Sequence, residues 1–101
     1  MAVAQTWDEL IDHLLRAPGH TTPACRDDVF RAAGGDAGIE LGGLRSFVED
    51  VAHASYRVTD AGVRELAASR SEDEVFEIII TAAAGAASAR RATALAALDG
   101  R

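Results

Sequence analysis

The last third of the chain limits the fold most. Ser71 followed by Glu74 is a capping box, in which a hydroxyl and a carboxylate satisfy the N–H groups of a helix start. From Glu72 to Leu98 no proline intervenes, alanine dominates, and Gly100 marks the stop. Val75 to Ala87 is apolar on nearly all sides, as expected for a helix buried in the middle of a bundle or an oligomer. A helix lined with Ala and Gly also lets neighbouring backbones approach closely. Other elements must pack around this one.

The earlier segments supply them. Thr6 and Glu9 form a second capping box, followed by Trp7, Leu10, Ile11, Leu14 and Leu15 at helical spacing. The spacing predicts a helix from Trp7 to Ala17, stopped by Pro18-Gly19. Thr22 caps the next, with Pro23 at its first position, where the missing N–H costs nothing. Its buried side is Cys25, Val29, Phe30 and Ala33, and Gly34-Gly35 end it. Asp36 to Gly43 reads as an irregular loop. A third helix is expected from Leu44 to about Arg57, with Leu44, Phe47, Val48, Val51 and Ser55 on one face. Thr59-Asp60 caps a short fourth helix anchored by Val63, Leu66 and Ala67. No alternation of period two appears, so the expected fold is all-α with five helices.

At 101 residues the chain is expected to be a single domain, 1–101, with a modest core. Yet 49% of it is apolar and only 5% aromatic, more small aliphatic material than one small core needs. Burial against another copy is the expected use, which makes the chain a homo-oligomer. The net charge of −6 argues against nucleic acid and anionic membrane, both of which reward a basic patch. All ten basic residues are Arg, and the one adjacent pair is Arg90–Arg91. With no Lys there is neither Schiff-base chemistry nor a P-loop lysine. No apolar run reaches the length of a membrane span; the longest, Ile78 to Ala87, is interrupted by Thr81 and Gly85. Met1 to Trp7 lacks the charged start and apolar core of a signal peptide, so a cytoplasmic protein is expected.

The stretch Leu44-Arg-Ser-Phe47-Val-Glu-Asp-Val51, then Arg57-Val-Thr59-Asp60, Val63-Arg-Glu-Leu66 and Ser71-Glu-Asp-Glu74-Val-Phe76-Glu77-Ile78 carries a resemblance. It resembles the second half of alkylhydroperoxidase-like domains, the carboxymuconolactone decarboxylase family. There, a helix ending near a "VTD" cap leads to a short helix, an acidic helix start and an Ala-rich final helix. The resemblance spans about Leu44 to Leu98 and lies in caps and apolar spacing rather than in chemistry. It implies an all-helical subunit that assembles into a homo-oligomer, often a trimer or hexamer. Enzymes of that family reduce peroxides through a CxxC dithiol with nearby Glu and His, or decarboxylate. This chain departs from the pattern. Cys25 is its one cysteine, with Thr22 three residues before and Asp28 three after, so a dithiol cannot form within one chain.

Several residues could carry chemistry or simply support the fold. Cys25 falls in the first turn of the second helix, where the dipole and free N–H groups can activate a thiol; Arg26 would help and Asp27 and Asp28 would oppose. The bland alternative is a small apolar residue packed with Val29. His53 lies between Glu49 and Arg57 at i−4 and i+4, an acid–base pair or a plain surface row of charges. His13, four after Glu9, offers the same choice. On the last helix Glu74, Glu77, Thr81, Gly85, Ser88 and Arg91 form a thin polar stripe. It either faces water or lines a cleft, where a carboxylate would have a raised pKa suited to proton transfer, with Tyr56 reaching towards it.

The scattered His13, His20 and His53 suggest no metal site, and no cofactor motif is present. The leading expectation is a non-redox alkylhydroperoxidase-like protein that self-assembles as a binding or accessory subunit, with a protein partner or small-molecule ligand. The alternative is an acid–base enzyme, a decarboxylase or isomerase of a small carbonyl acid, using Glu77, Glu49 or His53. A one-cysteine peroxidase acting through Cys25 is the third. Candidate ligand-binding residues are Glu74, Thr81, Ser88 and Tyr56.

Overall fold

A computed structural model describes residues 3–100, with side chains from residue 6 onward. It contains five α-helices: α1 (Val3–Arg16), α2 (Pro23–Ala33), α3 (Arg45–His53), α4 (Asp60–Ser69) and α5 (Glu72–Asp99). Two short 3-10 turns, Gly42–Leu44 and Ser55–Arg57, precede and follow α3, and no strand occurs among the described residues. The all-α, five-helix expectation is met, including the long last helix.

α5 is the spine. Its 28 residues span about 42 Å at 1.5 Å per residue, which sets the longest dimension of a molecule measuring 47 × 28 × 24 Å. The capping box forms as read: the Ser71 hydroxyl accepts from the Glu74 N–H, and the Glu74 carboxylate accepts from the Ser71 N–H, both at 3.1 Å. α2 and α3 pack on α5 and on each other, while α1 and α4 lie to the sides. The core is Val29 and Ala33 from α2, Leu44, Val48 and Ala52 from the third-helix region, and Ile78, Ala82 and Ala86 from α5. Cys25, Phe47, Val51 and Leu66 pack against its edge.

Small residues decide the closest crossing. At Gly85 of α5 an added Cβ would overlap the Phe30 carbonyl oxygen of α2 and stand 3.1 Å from the Ala33 Cβ. Only glycine permits that approach. Beyond Arg91 every residue of α5 is exposed, so its last two turns project past the bundle.

Two boundaries differ from the sequence reading. α1 begins at Val3, so Thr6 lies inside the helix and is not its cap. The third helix stops at His53 rather than continuing to Arg57. There Ala54 leaves the helical region, with φ −150° and ψ 55°. Arg90 of α5 satisfies a carbonyl that this helix end leaves free: its Nη2 donates to the Ala52 carbonyl at 2.8 Å. Thr22 and Thr59 cap as expected, accepting from the N–H groups of Cys25 and Gly62.

Candidate functional site

From Glu77 to Ser88 the polar stripe of α5 faces inward, against α1, α2 and the loop joining them. Its centre is Glu77. Its carboxylate accepts from the His20 N–H at 2.6 Å, the Thr21 N–H at 2.9 Å and the Thr21 hydroxyl at 2.7 Å. Arg26 of α2 approaches the same Oε1 with Nη1 at 3.4 Å. The Arg26 side chain is only 3% exposed and the Glu77 side chain 19%. Arg26 also donates to the Thr21 carbonyl at 2.7 Å and to the Ala17 and Leu15 carbonyls, closing the end of α1. Its Nε is buried without a hydrogen-bond partner.

Burial alone would raise the Glu77 pKa. The Thr21 hydroxyl, the His20 and Thr21 amides and the nearby His20 charge outweigh it, and the carboxyl is lowered from 4.5 to about 2. The expectation of a raised pKa on this stripe is therefore reversed at Glu77. An anion so fully supplied with donors is a poor proton carrier at neutral pH. It ties the Pro18–Thr21 loop to α5.

Two other stripe residues are engaged within the chain. Glu74 is spent in the capping box, and Ser88 accepts from the Trp7 indole N–H at 3.2 Å. Thr81 is fully buried, with no partner for its hydroxyl oxygen. Arg91 borders an open groove of about 360 Å³ between α1 and α5, floored by Ile11, Leu15 and Phe30. Tyr56 is 82% exposed, with the Arg57 guanidinium 5.9 Å from its ring centroid, so it stands apart from the stripe.

The remaining candidates do not converge. Glu49 is exposed and pairs with Arg45 at 3.2 Å. His53 is exposed at the last residue of α3, and the turn after it removes Arg57 from the expected i+4 position. His13 is exposed on α1. Cys25 is half-buried at the core edge and borders a small pocket with His20, Thr22, Arg70 and Glu74. Among the described residues no group of three His, Cys, Asp or Glu is placed to hold a metal ion. Among them, too, no helix is long and apolar enough to cross a membrane.

Arg26 is the residue the sequence reading passed over as a structural element. The signal was present: it stands three before Val29 and seven before Ala33, on the apolar face of α2. A charge on a buried face requires partners, and Thr21 and Glu77 are those partners. No protein-family model, curated protein or solved structure matches this chain.

Proposed function

We propose that this chain is a non-redox, alkylhydroperoxidase-like helical protein that assembles with copies of itself and serves as a binding or accessory subunit. The observation that carries the reading is the second apolar face of α5. One face, Val75, Ile78, Ala82 and Ala86, is in the core. On the opposite face Phe76 is 62% and Ile80 41% exposed, and Leu95 and Leu98 are exposed on the projecting end. A helix apolar on both sides gains from burial on both sides. Each large side chain removed from water is worth about 1.5–3 kcal/mol.

The chain's single cysteine supports the non-redox part, since a dithiol would need a second thiol. No observation favours the acid–base alternative. Glu77 is held ionised by its donors, and Glu49 and His53 lie on the surface. The Cys25 thiol remains the only nucleophile for a peroxidase reading, and nothing beside it among the described residues points to peroxide chemistry.

Native mass spectrometry of the untagged protein tests the reading. An oligomer at micromolar concentration, with or without retained small-molecule mass, is the expected result. A monomer throughout the micromolar range overturns it.

A further inference from the structure

The outward face of α5 has the pattern of a self-complementary seam. Phe76, Ile80, Ala83 and Ala87 follow one another at spacings of four, three and four, so they fall on one line along the helix. The line has two large residues at its N-terminal end and two small ones at its C-terminal end. Charges flank it with the same polarity. Glu72 and Asp73 stand at the beginning, one on each side of the line, and Arg90 and Arg91 stand likewise near its end. Phe76, Ile80 and Ala83 are exposed and Ala87 is half-buried.

Resting on the self-assembly reading above, we infer that this face pairs with the same face of a second copy, antiparallel, about a two-fold axis between Thr81 and Ala82. That register places Phe76 against the partner's Ala87 and Ile80 against the partner's Ala83. Each large side chain meets a small one, which lets the helix axes approach to the 8–10 Å of close packing. The same register sets Asp73 beside the partner's Arg91 and Glu72 beside the partner's Arg90. The two-fold repeats every contact. A parallel pair would instead stack Phe76 on its own copy and bring acidic ends together with acidic ends. Charge therefore selects one orientation. Among the described residues, Asp73 has the exposed His20, 3.7 Å away, as its ion-pair partner. Arg90 keeps its bond to the Ala52 carbonyl through one nitrogen, leaving the rest of its fork to reach across.

The test uses full-length protein in a Cys25→Ser background, with Phe76→Cys and Ala87→Cys made as separate variants. In the inferred pair the two positions face one another, whereas each lies about 16 Å along the helix from its own copy. Disulfides form only when the Cα atoms are within about 7 Å. Mild oxidation of an equal mixture should give covalent dimer, and oxidation of either variant alone should give little. Covalent dimer from Phe76→Cys alone would overturn the antiparallel arrangement. No cross-link in the mixture, with the unmodified chain oligomeric by native mass spectrometry, would overturn this register and leave self-assembly standing. A monomeric unmodified chain would overturn both. As a second readout, Asp73→Arg and Arg91→Asp should each weaken the dimer by about tenfold, and together should restore it. Failure of the double reversal to recover affinity would remove the charge pairing.

Discussion

Arg26 of α2 and Glu77 of α5 meet at 3.4 Å across the seam between their helices, with the Thr21 hydroxyl joined to both. Thr21 donates to the carboxylate and accepts from the guanidinium, so three groups from two helices and a loop form one network. The network stitches the end of α1 to the spine of the bundle. Its chemistry is that of a fastening, because each polar atom of Glu77 is used to hold backbone.

The first expected outcome concerns the charge of Glu77. A carboxyl lowered from 4.5 to about 2 favours the folded state by about 3 kcal/mol wherever it is ionised in both states. That contribution is complete above pH 4.5 and is lost as pH falls through about 2. Glu77→Gln should therefore cost about 2–3 kcal/mol at pH 7, since an amide NH₂ would face the N–H donors of His20 and Thr21. Urea unfolding of both proteins at pH 7 and pH 3 should show the gap shrinking by roughly half at the lower pH. Equal stability at pH 7 would mean that the donors do not hold the carboxylate.

The guanidinium should be coupled to it. Arg26→Met removes one member of a nearly buried pair and leaves the Thr21 and Ala17 carbonyls without their donor. A loss of about 3 kcal/mol is expected. The Arg26→Met, Glu77→Gln double variant should lose less than the sum of the singles, by about 1 kcal/mol or more. Additive losses in denaturant unfolding would show that the two side chains act independently.

Much of the fold was legible because its signals are local. Thr22, Thr59 and Ser71 each bond to an N–H within three residues, so the letters alone place those helix starts. Thr6 carries the same letters, yet α1 begins earlier at Val3, because a cap works only if the residues before it are not helical. What was not legible depends on distant partners. The Ala52 carbonyl at the end of α3 finds its donor in Arg90, 38 residues away. The low pKa of Glu77 is set by His20 and Thr21, 57 and 56 residues away. A polar line on α5 reads the same whether it faces water or packs, and only the tertiary structure shows that Glu77, Gly85 and Ser88 meet the loop, α2 and α1 in turn.

The α2–α5 crossing gives a steric prediction. Gly85→Ala introduces a methyl group into the Phe30 carbonyl and the Ala33 side chain at the crossing. Neither can retreat without separating the helices, so a loss of about 3 kcal/mol is expected, despite the better helix propensity of alanine. Gly43→Ala is the matched control, because nothing lies within 4 Å of the added carbon. It should shift stability by no more than about 0.5 kcal/mol. A thermal melt of Gly85→Ala that matched the parent would show that the helices do not cross so closely.

The start of α5 gives the last. Ser71→Ala removes the acceptor for the Glu74 N–H and one half of the capping box, while the Glu74 carboxylate can still reach the backbone N–H at position 71. The expected cost is about 1 kcal/mol, against a few tenths for Ser71→Gly. Because α5 packs on both α2 and α3, fraying at its first turn should be felt as lower global stability rather than as local disorder alone. Urea unfolding followed by circular dichroism should show a single transition at a lower midpoint with an unchanged slope. A reduced slope, or helix lost before the main transition, would mean that α5 opens independently of the core it supports.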